Sequence, residues 1–146
     1  MKLPCFHPSG LSPVTQTSFG SPCGNCLEAC VATLLGIPLE TVPDPRRGLT
    51  CAEAERALPL RSPALGTFLA QFGLAAVSGE GSHGPVPPGA PPVFWIGSGP
   101  GPRGFDHAVV YVSGGRAPHP VLFWDPHPDR TGLLALARWT AILPLA

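Results

Sequence analysis

The segment 25–38 constrains the fold of this chain most, because its sequence specifies both ends of a helix. Gly36 fits a left-handed helix cap, and Pro38 prevents the helix from continuing. Between the two ends, apolar residues recur at the spacing of one helical face: Leu27, Cys30, Val31, Leu34 and Leu35. The sequence therefore predicts a helix that packs one face against a core.

The first turn of this predicted helix carries a cysteine. Asn25 and Glu28 have the spacing of a capping box, which places Cys26 at the first helical position. The positive end of the helix dipole favours a thiolate there, most of all beside an imidazolium. Cys26 is thus a candidate nucleophile, although an ordinary half-buried cysteine is the alternative. Cys30 lies on the apolar face and is expected in the core.

Composition limits the class of protein. The 146 residues suit a single domain, 1–146, in which we expect an irregular N-terminal arm over 1–20. Nine basic and nine acidic residues balance, and charged residues make up only 12%, so we expect no nucleic-acid partner. No apolar run approaches the ~20 residues that cross a bilayer, so we expect no membrane partner. Five cysteines, an odd count, and no resemblance to a secretory leader favour the cytoplasm with reduced thiols.

The first half of the chain is predicted to be helical and the second half to form strands. Thr50 and Glu53 form a second capping box, opening a helix that Pro59 ends, and Ser62 is predicted to cap a further helix that ends at Gly73. Short β-branched or aromatic runs follow, separated by Gly and Pro: Val93–Ile96, His107–Val112, Val121–Trp124 and Ala141–Leu143. Helices followed by antiparallel strands indicate an α+β fold.

Two of these strands are predicted to bring a histidine to a carboxylate. If the strands pair with residue numbers summing to 232, Val109 faces Phe123 and His107 faces Asp125. Such neighbours have Cβ atoms ~5 Å apart, so the carboxylate can hold one ring nitrogen while the other faces a thiol. The sequence thus predicts Cys26, His107 and Asp125 at one place.

The glycine pattern of 99–104 is similar to a dinucleotide-binding loop, but we reject a nucleotide site there. The segment leads into a strand rather than a helix, and its two prolines lack the N–H groups that would bind phosphate. A loop beside the site is the preferred interpretation.

These residues resemble a known family. The order Cys, His, Asp and the runs 24–43, 107–110 and 125–128 are similar to papain-like cysteine peptidases, in particular to the small bacterial C39-like branch. The resemblance covers most of the chain from Gln16 onward. It implies a papain-like fold in which the helix of the nucleophile packs on a C-terminal antiparallel sheet.

The resemblance also implies an activity, namely hydrolysis of a peptide or amide bond through a thioester acyl-enzyme, with a peptide or protein as substrate and no cofactor. Cys26 would be the nucleophile, His107 the base and acid, and Asp125 the residue that orients it. Gln16 would complete the oxyanion hole with the Cys26 N–H, although it lies ten residues before the cysteine rather than the usual six. Transglutaminase or deamidase chemistry and the oligomeric state stay open.

Other classes of function remain alternatives. The same fold would also suit a catalytically inactive binding module. A third class is a zinc or iron–sulfur protein, whose ligands would come from Cys5, His7, Cys23, Cys26 and Cys30. His127 and Asp129 would hold a metal with Asp125, or else lie in a solvated loop. Arg103 would bind a substrate carboxylate or lie solvated at the surface.

Overall fold

In the computed structural model, helices pack against one five-stranded antiparallel sheet, a mixed α+β architecture. The structure describes residues 11–20, 23–86, 89–116 and 118–145. The elements in chain order are α1 (Cys26–Leu35), α2 (Cys51–Ala57), α3 (Arg61–Ala70), β1 (Leu74–Glu80), β2 (Val93–Pro100), β3 (Asp106–Ser113), β4 (Val121–Trp124) and β5 (Arg138–Pro144). Single 3-10 turns lie at Leu39–Thr41 and Leu58–Leu60.

Helix α1 has the predicted bounds and packs against the sheet. It begins at Cys26, and Gly36 takes the left-handed conformation with φ 66°. The Ile37 N–H turns back to donate to the Ala32 carbonyl at 3.1 Å, which satisfies an end carbonyl. Cys30 is fully buried, as predicted, in a core that α1 shares with β2, β3 and β5.

The predicted capping box at the start of α1 is wrong. The Asn25 side chain makes no cap hydrogen bond; its Oδ1 instead accepts the N–H groups of Thr17 and Ser18, both at 3.0 Å. Glu28 is only 1% exposed, and its carboxylate pairs with an arginine, Arg61, at 2.6 Å. Both side chains bond to partners distant in sequence, which a local pattern does not reveal.

The other helices follow the sequence more closely. Thr50 and Glu53 form the predicted capping box of α2. Helix α3 begins at Arg61 rather than at a Ser62 cap, because the 3-10 turn Leu58–Leu60 leads directly into it. Pro63 still lies in the first turn, where no helical N–H is lost.

The sheet has the order β1-β5-β2-β3-β4. Each predicted strand is present, and three of the four are longer than predicted, while β1 was not predicted at all. Glycines within β1 and β2 account for part of this difference. A side chain at Gly79 would overlap the Trp139 ring, and one at Gly99 would overlap the Ala135 backbone. These glycines are packed strand positions and do not break the strands.

The predicted register between β3 and β4 is also wrong. The observed partners are Val110 with Trp124 and Tyr111 with Leu122, with a bulge between Val110 and Tyr111. The bulge changes the sum of paired residue numbers, and Asp125 lies just beyond the end of β4. His107 lies opposite Gly99 of β2, on the other side of β3 from β4.

Cys23 and Cys51 form a disulfide, with Cα atoms 5.8 Å apart. This contradicts the expectation that all thiols are reduced. The bond joins the turn before α1 to the first residue of α2. Among the described helices, none has the length and apolar character that crossing a membrane requires.

Candidate active site

Cys26 lies at the mouth of a small cavity between the start of α1 and the start of β3. Its side chain is partly exposed. The cavity has a volume of about 110 Å³ and is lined by Gln16, Phe19, Gly20, Gly24, Cys26, Arg103, Phe105, Asp106, His107 and His127. Two of the predicted site residues, Gln16 and His107, therefore share one cavity with the candidate nucleophile.

His107 bonds the third predicted site residue. Its Nε2 lies 2.7 Å from Oδ1 of Asp125, and both residues are buried. Backbone N–H groups of His127 and Gly132 donate to the same carboxylate at 2.8 and 2.7 Å, which fixes its position. Because Asp125 engages Nε2, Nδ1 is the ring nitrogen left to face the Cys26 thiol.

The electrostatics of Cys26 favour the thiolate. Burial acts to raise the pKa of Cys26, but the hydrogen bond from His107, its positive charge and the Ala108 N–H outweigh burial and lower it. In His107, burial acts to lower the pKa, yet the hydrogen bonds to Asp125 and Cys26 raise it to about 9. Both shifts favour the thiolate–imidazolium pair over the neutral thiol and imidazole.

Asp125 stays ionised beside the imidazolium. Burial acts to raise its pKa, but hydrogen bonds from His107 and from the two backbone N–H groups lower it. An ionised carboxylate on Nε2 keeps the ring oriented and stabilises its positive charge.

Gln16, the residue that the resemblance implied for an oxyanion hole, lies in the same cavity as Cys26. Its side chain lines the Cys26 cavity and is 5% exposed. Its backbone N–H donates to the Pro126 carbonyl at 3.0 Å, and its Nε2 donates to the Ser18 carbonyl at 2.9 Å. The side-chain amide nitrogen carries two hydrogens, so its second N–H is left for a ligand.

Asn25 is a site residue whose role the sequence analysis missed. Its side-chain oxygen holds the backbone of Thr17 and Ser18, and its Nδ2 donates to the Thr17 hydroxyl at 2.9 Å. It thereby ties the loop that carries Gln16 to the start of α1. The only sequence signal was its place directly before Cys26, which was interpreted as a cap.

The remaining predicted residues lie near the cavity or away from it. Arg103 pairs with Asp129 at 2.6 Å on the rim. Nδ1 of His127 accepts the Asp129 N–H at 3.1 Å. No group of three or more metal-ligating side chains occurs in the described ranges, Cys23 is bonded to Cys51, and Cys30 is in the core. These side chains are not brought together as a metal site among the described residues; Cys5 and His7 lie outside those ranges.

No protein-family model matches this chain, and no curated protein or solved structure is significantly similar to it. The case for a function therefore depends on the geometry of the cavity.

Proposed function

We propose that this protein is a cysteine hydrolase that cleaves a peptide or amide bond through a Cys26–His107–Asp125 triad. In this proposal the helix and sheet form a papain-like fold, with a peptide or protein as substrate. The observation that carries the proposal is the position of the His107 ring: it bonds Asp125 at 2.7 Å through one nitrogen, and its hydrogen bond lowers the pKa of a thiol at a helix N-terminus.

The acylation step follows from these contacts. The Cys26 thiolate attacks the substrate carbonyl carbon, and the carbonyl oxygen becomes an oxyanion. The Cys26 backbone N–H and the free N–H of Gln16 donate to that oxyanion. The imidazolium of His107 gives its proton to the leaving amine, the C–N bond breaks, and a thioester to Cys26 remains.

Hydrolysis of the thioester regenerates the site. Neutral His107 takes a proton from water as the water oxygen attacks the thioester carbonyl. The C–S bond then breaks, which releases the acid and restores the thiolate and imidazolium. An amine in place of water would give acyl transfer by the same steps.

The compartment is a separate part of the proposal. A cytoplasmic protein would carry Cys23 and Cys51 as thiols, because disulfides are rare in that compartment. The disulfide between them opposes the cytoplasmic expectation. Alkylating the free thiols at the moment of cell lysis, followed by mass spectrometry of both cysteines, decides between the two states.

Acyl-enzyme trapping tests the chemistry. p-Nitrophenyl acetate should release a burst of nitrophenol equal to the protein concentration and leave one acetyl group on Cys26. Cys26→Ala should abolish the burst, whereas Cys30→Ala, which changes a cysteine one turn away, should keep it. An equal burst from Cys26→Ala would overturn the assignment of the nucleophile.

Digestion of a mixed peptide library then separates hydrolysis from binding. New peptide termini that appear with the native protein and not with Cys26→Ala support a hydrolase. Acylation without any cleavage would contradict peptide hydrolysis and favour the inactive binding module.

A further inference from the structure

Two phenylalanine rings border the cavity of Cys26 and remain half exposed. Phe19 and Phe105 are each 48% exposed, although each is large and apolar. Phe19 precedes α1, and Phe105 lies in the turn between β2 and β3, so distant parts of the chain bring the two rings to one opening. Exposed apolar surface at the edge of a cavity is typical of a binding site.

Each ring has a different neighbour beside the cavity. The Phe19 ring packs edge-on against the His127 ring, with centroids 5.1 Å apart. The Phe105 ring lies 3.9 Å from the point where a side chain would begin at Gly20. Gly20 therefore borders the cavity beside the Phe105 ring, at a distance that would be an ordinary van der Waals contact for a Cβ.

The size of the cavity limits what it accepts. At about 110 Å³ it is well below the roughly 300–1,000 Å³ of sites that enclose a drug-sized ligand. It therefore suits one substituent of a larger molecule, such as a single side chain of a peptide that otherwise lies on the surface.

The charges around the cavity disfavour an acidic substituent. Arg103 is already paired with Asp129, and the thiolate of Cys26 faces the imidazolium of His107. Asp106 contributes an exposed carboxylate to the lining. An acidic side chain would meet that carboxylate, while an apolar one would bury the two phenyl rings.

We propose that Phe19 and Phe105 form a specificity subsite that binds a bulky apolar side chain of the acyl part of the substrate. This inference rests on the proposed function, since it assigns the rings to the substrate of the same thiol. The subsite predicts that acyl groups with aromatic side chains reach Cys26 faster than otherwise equal acidic or basic ones.

Three chloromethyl ketones test the subsite without requiring turnover. They are derived from N-acetylated phenylalanine, glutamate and lysine, and mass spectrometry measures how fast each labels Cys26. The phenylalanine reagent should label about tenfold faster than either charged reagent, a typical discrimination for an apolar pocket. Phe19→Ala and Phe105→Ala should each lower this ratio several-fold. The ratio is taken within each variant, so a change in thiol activation cancels.

Phe72→Ala is the matched control. Phe72 is 55% exposed, its ring packs edge-on against another phenylalanine, and it lies beyond α3 outside the cavity. Its replacement should leave the ratio unchanged. A flat ratio in the native protein, faster labelling by the lysine or glutamate reagent, or an equal drop in Phe72→Ala would each overturn the subsite.

Iodoacetamide separates the two proposals, because it has no side chain to recognise. Rapid labelling of Cys26 at pH 6 together with a flat ratio rejects the subsite and leaves the activated thiolate standing. Slow labelling by iodoacetamide rejects the activated thiolate, whatever the ratio shows.

Discussion

The first and second turns of α1 place two cysteines in opposite environments. Cys26 faces a cavity, and the His107 hydrogen bond lowers the pKa of its thiol. Cys30 is fully buried among apolar residues, and burial raises the pKa of its thiol well above the ordinary value. The two residues share one helix and differ by four positions. The hydrogen bonds from His107 and Ala108 of β3 lower the pKa of one thiol, whereas burial raises the pKa of the other.

Replacing His107 should remove most of this difference. His107→Gln keeps an N–H donor for Asp125 but has no ring to carry a positive charge or transfer a proton. Acyl transfer from p-nitrophenyl acetate to Cys26 should fall about 10³-fold, within the range for a lost general acid–base group. Stopped-flow measurement of the burst gives the rate. A rate within threefold of the native protein would remove His107 from the mechanism.

Replacing Glu28, which also lies in the first turn of α1, should affect the stability of the protein more than the reactivity of Cys26. Glu28 accepts bonds from Arg46 at 3.2 Å and Arg61 at 2.6 Å, with its own side chain 2% exposed. Glu28→Gln removes the charge that both guanidinium groups face, so the free energy of unfolding should fall by about 3 kcal/mol.

Urea denaturation of Glu28→Gln measures that loss. Glu53→Gln, which changes an exposed carboxylate in the capping box of α2, is the control and should cost clearly less than Glu28→Gln. Equal losses in the two variants would contradict a stabilising role for the buried ion pairs.

The pH dependence of two reactions of Cys26 should differ above pH 9. In the proposed mechanism, acyl transfer from an amide to Cys26 needs the His107 proton for the leaving amine, and that proton is lost as pH rises through the His107 pKa of about 9. Amide cleavage should therefore fall about tenfold per pH unit above this value, while alkylation by iodoacetamide should persist. Both reactions should decline in acid as Cys26 gains a proton.

The stability of the folded protein should also depend on the protonation of His107. The pKa of His107 in the folded protein lies above its unfolded value of about 6.5, so its contribution is complete below that pH. The contribution is lost as pH rises toward about 9. Thermal unfolding at pH 6 and pH 9.5, compared between the native protein and His107→Gln, measures it. The native protein should lose more stability than the variant over this range.

The smallest expected effect is at Cys30. Cys30→Ala removes one buried sulfur and leaves a small void, which should lower the free energy of unfolding by about 1 kcal/mol. Alkylation of Cys26 at pH 6 should be unchanged. A slower Cys26 would show that packing in the second turn also sets the position of the nucleophile.

Local signals in the sequence predicted the parts of the fold that depend on local chemistry. Gly36 predicted the end of α1, and Thr50 with Glu53 predicted the start of α2. The contact between His107 and Asp125 was predicted correctly, but from a register that differs from the observed pairing of β3 with β4. The contact survives because Asp125 follows the strand in a loop, where backbone N–H groups fix its carboxylate.

Long-range packing determined what the sequence did not predict. Strand β1 has two glycine or serine residues and three small alanine or valine residues among its seven, so its composition did not indicate a strand. Gly79 leaves room for the Trp139 ring of β5, because a Cβ at this position would overlap that ring. Asn25 and Glu28 were interpreted as local caps because their true partners lie elsewhere in the sequence.

The contact between Gln16 and Pro126 has a consequence for synthesis of the protein. The backbone N–H of Gln16 bonds a carbonyl 110 residues further along, and the imidazole that activates Cys26 also comes from the last third of the chain. A nascent polypeptide on the ribosome therefore carries an ordinary thiol until translation has passed His107 and Asp125. The lowered pKa of the Cys26 thiol therefore depends on folding that follows the synthesis of these later residues.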